Sequence, residues 1–186
     1  AQALARVAVD PGAESRGEIE TRGRALVGAD DWDRLTFSAL SDARRWALAQ
    51  SDPFSFDRST GVADRTGKRV TVNSVMAPNG LTVLLTFAAG CGGCIQAAPA
   101  IEALHRQLDG TGARVAVVSH DDPLEDTFFD DREMTVPVVY DVDRSVSLAL
   151  GSAATPNYYV VDRAGVARYV PSLGDVARYL DALESE

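Results

Sequence analysis

An α/β sandwich built around a mixed β-sheet is the architecture this 186-residue sequence predicts. Three observations carry the prediction. "LTVLLTF" (81–87) is a short continuous apolar run, the mark of a strand buried on both faces of a sheet. Strand-like and helix-like segments alternate after it. The chain then closes on a hairpin followed by a helix. With 46% hydrophobic residues, a chain of this length can bury a sizeable core and suits one domain with an extension.

Taken in order, residues 1–53 read as an N-terminal helical extension, polar and rich in Ala and Arg. Asp30 and Asp31 precede Leu35, Leu40, Trp46 and Leu48 at roughly helical spacing, which predicts a helix near 32–50, with Trp32 and Trp46 as packing residues. "SDPFSF" breaks that pattern, and a domain over 54–186 begins there. "GVADRTGKRVTV" reads as a hairpin turning at Asp64–Lys68. After the apolar run, the pattern predicts a helix over 92–108, a strand at 113–120, a short helix near 123–131 and a strand in "TVPVVYD" (135–141). A helical piece at "DRSVSLALG" follows, then a hairpin of "PNYYVVD" and "VARYV" around Arg163–Gly165, and a last helix in "LGDVARYLDALE".

Charge excludes one class of partner. The formal net charge of −9 argues against nucleic acid, because phosphate contacts need clustered Lys and Arg. Arginine dominates the basic set, with Lys68 the sole lysine, which points to a GC-rich coding sequence and a bacterial source. No run approaches the roughly 20 apolar residues needed to cross a bilayer.

The chain's two cysteines, Cys91 and Cys94, sit in "TFAAGCGGCIQAAPAIEAL". A bridge between them closes too small a loop to serve as a structural staple. Cys91 follows a buried strand and Gly90 and opens an amphipathic helix, where unpaired backbone N–H groups and the positive end of the helix dipole stabilise a thiolate. It is therefore the candidate attacking thiol. Cys94, one helical turn on, reaches back to Cys91 while solvent reaches it poorly, which suits a resolving thiol. Gly92 and Gly93 leave the linking turn open to a bulky substrate. A zinc site would need His105 and His120 as further donors, and His105 falls mid-helix beyond the cysteines. The pair is thus the candidate redox centre, with no metal and no cofactor beyond a Cys91–Cys94 disulfide.

These residues resemble the thioredoxin superfamily, and within it the TlpA-like and ResA-like branch of bacterial thiol-disulfide oxidoreductases. The resemblance covers roughly 54–186. Pro99 stands five residues after the second cysteine, where the family carries a proline in its active-site helix. Pro137 in "TVPVVYD" matches another family position. "TPNYYVVDRAGVARYV" matches the stretch that makes Pro156 the family's cis-proline, with the Thr155 backbone beside it free to pair with an extended substrate. The resemblance implies a thioredoxin-like three-layer sandwich, catalytic Cys91 and Cys94, and a substrate surface of Thr155, Pro156, Gly90, Gly92 and Gly93. It implies a reductase-type enzyme outside the cytoplasm, a cysteine-containing protein substrate, and an upstream thiol or membrane electron donor. A membrane tether ahead of the chain, with Ala1 to about Arg24 as its remnant, belongs to the same expectation.

Several positions depart from the family. Gly90 replaces the aromatic before the first cysteine, and only Phe87 remains of the upstream aromatic pair. Leu85 or Thr86 occupies the place of the buried acid that takes the second cysteine's proton. Glu102, Asp121 and Asp122 are the other carboxylates in reach by sequence, and none is singled out for that task. Two other functions share the scaffold. A thiol peroxidase needs a threonine where this chain has Ala88. A Sco-like copper chaperone would add His120 to two cysteines, but spaces them CxxxC rather than CxxC.

Overall fold

A computed structural model describes residues 52–152 and 154–176, together with Thr21, Arg24 to Leu26, Gly28 and Leu180. The chain divides into two compact units, Ala1–Ser51 and Asp52–Glu186. The expected helix near 32–50 lies outside the described residues, and the second unit carries the site.

Eight strands form one mixed sheet in the order β1-β8-β7-β4-β5-β6-β2-β3. They are β1 (Phe54–Ser55), β2 (Gly61–Ala63), β3 (Arg69–Thr71), β4 (Thr82–Phe87), β5 (Arg114–Ser119), β6 (Val138–Tyr140), β7 (Asn157–Val161) and β8 (Val166–Val170). β4, β5 and β6 run parallel, while β7 runs antiparallel to β4. Helix α1 (Gly92–Leu108) lies between β4 and β5, and helix α2 (Ser145–Ala149) follows β6.

β4 is buried at all six positions, as a continuous apolar run in a central strand demands. Val83, Leu85 and Phe87 alternate onto one face, where Ile101, Leu104 and Leu108 of α1 pack against them with Val115 and Val117 of β5. Leu84, Ala116, Val118 and Tyr159, pointing the other way, are buried as well. The fold is the predicted α/β sandwich, and the hairpin β2–β3 turns where Asp64 accepts from Thr66 and Lys68 N–H groups at 2.8 and 3.1 Å. That hairpin joins the sheet through β6.

Three expectations change. Residues 123–131 form isolated turns rather than a helix. Pro123 and two Asx turns, Leu124 N–H to Asp122 and Phe128 N–H to Asp126, bend the backbone, and the buried Phe128 and Phe129 rings pack around Phe87 at 4.9 and 5.1 Å. The predicted strand 135–141 shrinks to Val138–Tyr140, because Thr135 and Val136 give their N–H groups to the Glu102 carboxylate at 3.0 and 3.2 Å. In "SDPFSF", Phe54 and Ser55 pair with β8 as a sheet edge that hydrophobic pattern alone does not reveal in two residues. Of the expected last helix, residues 173–176 and Leu180 are helical and the others lie outside the described residues.

Ile101 is wholly buried between α1 and the sheet. Ile101→Ala therefore lowers unfolding stability by about 2–5 kcal/mol in a urea titration, whereas the exposed Gln107→Ala stays within about 0.5 kcal/mol.

Candidate active site

Cys91 is the N-cap of α1, with φ −87° and ψ 115°, and its sulfur accepts the Cys94 N–H at 3.2 Å. A capping position of this kind leaves the first helical N–H groups without intrahelical partners, and here sulfur takes one of them. Cys91 is partly exposed, Cys94 is fully buried, and both are free thiols. The Cys91 thiol also donates to the Thr155 carbonyl at 3.3 Å. The Thr155–Pro156 peptide is cis.

Sheet register explains why these distant residues meet. Asn157, at the start of β7, lies opposite Thr86 near the end of the antiparallel β4, so Thr155 and Pro156 fall beside the β4–α1 turn. Ser119 lies opposite Phe87 at the end of the parallel β5, so Asp121 falls beside the same turn. The glycines divide their work: Gly90 and Gly92 border open space, whereas a Cβ on Gly93 would stand 3.3 Å from the Pro156 ring. Gly93 thus admits Pro156 closely rather than leaving room for a partner.

The two thiols differ in acidity. Burial works against a charge on Cys91, yet hydrogen bonds from the Cys94 thiol, the Thr155 hydroxyl and the Cys94 and Gly93 backbone outweigh it and hold its pKa below the ordinary thiol value. Burial first, then donation of its own proton to Cys91, pushes the Cys94 thiol up to about 12, although Thr155 and the Ala88 backbone act the other way. One sulfur is poised as a nucleophile and the other keeps its proton.

Leu85 and Thr86, the two positions nearest the place of the resembling family's buried acid, are both fully buried, Leu85 in the apolar core that includes Cys94 and Thr86 in a neutral hydrogen-bond array. The Thr86 hydroxyl lies 3.1 Å from Ser152 Oγ and accepts the Asn157 N–H at 3.2 Å, while the Asn157 amide donates to Ser152 Oγ and to the Ala154 carbonyl, both at 2.9 Å. This array fixes the loop that presents Thr155 and Pro156. Ser152 and Asn157 were not legible as site residues in the sequence, since only register brings them under Thr86.

The other carboxylates are placed as follows. Glu102 receives the N–H groups of Thr135 and Val136 and a 2.9 Å contact from Arg106, which commits it to structure. Asp122 caps its own turn. Asp121 accepts the Ala89 N–H at 2.8 Å and the Ser119 hydroxyl at 2.7 Å, so it touches the turn that carries Cys91. His120 lies 2.6 Å through Nε2 from Ser147, whose hydroxyl donates to the buried Asp141. Among the described residues no three His, Cys, Asp or Glu side chains gather as metal ligands. A groove of about 540 Å³ along α1 beyond Cys94 is lined by Ile95, Pro99 and Met134 together with the charged Glu102, Arg106 and Arg132.

The family model for the AhpC/TSA family matches residues 53–170. The chain belongs to the AhpC/TSA family. No curated protein matches it. Among solved structures, Mycobacterium tuberculosis DsbF, in mixed oxidised and reduced forms, superposes with a TM-score of 0.56 at 22% identity, over 68% of this chain and 96% of that one. The thioredoxin domain of a Bacteroides vulgatus thiol-disulfide oxidoreductase gives 0.58 at 17% identity, over 70% and 97%. A secreted M. tuberculosis disulfide oxidoreductase homologous to E. coli DsbE gives 0.51 at 13% identity, over 61% and 84%. The fold is thioredoxin-like, and family and fold together place the chain among the thioredoxin-like oxidoreductases.

A thiol at about 12 holds roughly a thousandfold less thiolate at neutral pH than an ordinary cysteine. Iodoacetamide at neutral pH should therefore label Cys91 of the reduced native protein and spare Cys94, with Cys91 labelling reaching half its maximum at a pH below that of a free cysteine. Mass spectrometry of the peptides measures both.

Proposed function

We propose that this protein is a thiol-disulfide oxidoreductase that exchanges disulfides with a cysteine-containing protein substrate through Cys91 and Cys94. The observation that carries the reading is the Cys91 sulfur at the α1 N-terminus, held by the Cys94 N–H at 3.2 Å above a fully buried second thiol. In the reducing direction the Cys91 thiolate attacks one sulfur of a substrate disulfide. A mixed disulfide forms, and the departing substrate thiolate takes up a proton. Cys94 then gives up its proton and attacks the Cys91 sulfur, forming the Cys91–Cys94 disulfide and releasing the second substrate thiolate. Two electrons pass to the substrate, whose two thiolates take up one proton lost by Cys94 and one from water, and no cofactor beyond the pair is required. An upstream thiol or membrane donor of two electrons returns the pair to the dithiol.

In this scheme Thr155 and Pro156 hold the substrate backbone, and the open space at Gly90 and Gly92 lets it approach. Gly93 keeps Pro156 near the sulfurs. A site outside the cytoplasm agrees with the secreted M. tuberculosis disulfide oxidoreductase of similar fold, while the reductase direction rests on the resemblance to the ResA-like branch. No described helix is long and apolar enough to cross a membrane.

Family membership favours a second reading, thiol peroxidase. There the Cys91 thiolate would attack a peroxide oxygen, forming a sulfenic acid and releasing an alcohol or water, and Cys94 would condense with it to a disulfide and water. Ala88 provides no hydroxyl to orient the peroxide, which ranks this reading second.

Two assays separate them. Cys94→Ser should accumulate a mixed disulfide between Cys91 and a protein substrate, visible as a dithiothreitol-sensitive adduct that Cys91→Ser abolishes. The native protein should also accelerate reduction of insulin by dithiothreitol at least about tenfold while consuming hydrogen peroxide no faster than a free thiol does. Rapid peroxide consumption without insulin reduction would favour the peroxidase.

A further inference from the structure

We infer that Asp121 is the positioning residue that sets the Cys91 nucleophile, an inference that rests on the oxidoreductase reading. The turn between β4 and α1, Ala88-Ala89-Gly90, carries nothing larger than a methyl group, and a Cβ on Gly90 would meet no atom within 4 Å. Side-chain packing on the turn is thus limited to small contacts, with the Ala89 methyl against the core. Its backbone closes from Cys91 N–H to the Ala88 carbonyl at 3.0 Å, and the Ala88 backbone also meets the Cys94 sulfur. The lateral tie comes from the Asp121 carboxylate, whose Oδ2 accepts both the Ala89 N–H at 2.8 Å and the Ser119 hydroxyl at 2.7 Å.

Ser119 is fully buried, and its oxygen in turn accepts the Asp121 N–H at 3.3 Å, so the carboxylate is locked to β5 before it reaches across. The parallel ladder aims it. Ser119 pairs with Phe87, His120 N–H continues to the Phe87 carbonyl at 2.9 Å, and two residues beyond each partner Asp121 and Ala89 come abreast. A hydrogen bond to a carboxylate is stronger than one to a neutral acceptor, so it suits a turn built of such small residues. The Gly93 and Cys94 N–H groups point at the Cys91 sulfur only while Cys91 keeps its extended N-cap backbone. Releasing Ala89 lets the turn rotate, weakens those donors and displaces the attacking sulfur.

Asp121 also carries charge, which disfavours a nearby thiolate, so the hydrogen bond and the charge must be separated. Asp121→Asn keeps an acceptor for Ala89 and loses the charge; Asp121→Ala loses both. The experiment follows the pH profile of Cys91 alkylation on the reduced full chain and the rate of exchange with oxidised glutathione. Relative to Asp121→Asn, Asp121→Ala should raise the alkylation midpoint and slow exchange about tenfold, while Asp121→Asn exchanges within about twofold of the native protein. Identical behaviour of the two variants would overturn the inference. If Asp121→Ala does not fold, Ser119→Ala decides: it should slow exchange severalfold relative to the native protein, and an unchanged rate and alkylation profile would overturn the inference. Alkylation needs no disulfide chemistry. A shifted profile in a protein whose native form never exchanges with glutathione would therefore sustain the role of Asp121 and sink the oxidoreductase reading.

Discussion

The hydrogen bond from the Cys94 N–H to the Cys91 sulfur is the constraint on which the rest of the site depends. It exists because a helix must begin somewhere with unpaired donors, and this helix begins on a cysteine. A cysteine one position on, at Gly92, or one position back, at Gly90, would instead direct its Cβ into open space. The same bond makes the two thiols unequal, since the residue that donates its backbone to Cys91 is the one whose own sulfur lies buried beneath it. Disulfide exchange needs that inequality: an exposed thiolate to open a foreign disulfide and a protected thiol to finish.

The sheet brings the supporting parts to one end. Parallel β4 and β5 end together, and the antiparallel β7 begins there. Three chain segments that are remote in sequence therefore converge on the α1 N-terminus: the Cys91 turn, the Asp121 loop and the Thr155–Pro156 loop. A neutral array of Thr86, Ser152 and Asn157 underlies the last of these. A carboxylate in the place of Thr86 would stand fully buried there and would need compensation. In the described residues the proton of Cys94 finds no buried acid among its hydrogen-bond partners, and Thr155 is the hydroxyl shared by both sulfurs.

Much of this was legible in the sequence where the signal is local. The strand 82–87, the helix 92–108 and the cysteine at its first turn follow from an apolar run, a helical period and a turn of small residues, all in one continuous stretch. The roles of Glu102 and Asp121 were not. Both stand in the sequence as free carboxylates, and only register shows that Glu102 takes the amides before β6 while Asp121 takes an amide beside Cys91. The failure at 123–131 has a different origin. Acidic residues and paired phenylalanines imitate a helix start there, but the Asx turns and the demand of both rings for contact with Phe87 win.

The central claim is that Cys91 and Cys94 form one redox couple. Equilibrating the protein in glutathione buffers of graded potential and counting free thiols by alkylation tests it most directly. The account predicts a single two-electron transition in which both thiols disappear together and return together. Two thiols persisting at every potential, or Cys91 alone capped by glutathione while Cys94 stays free, would contradict it.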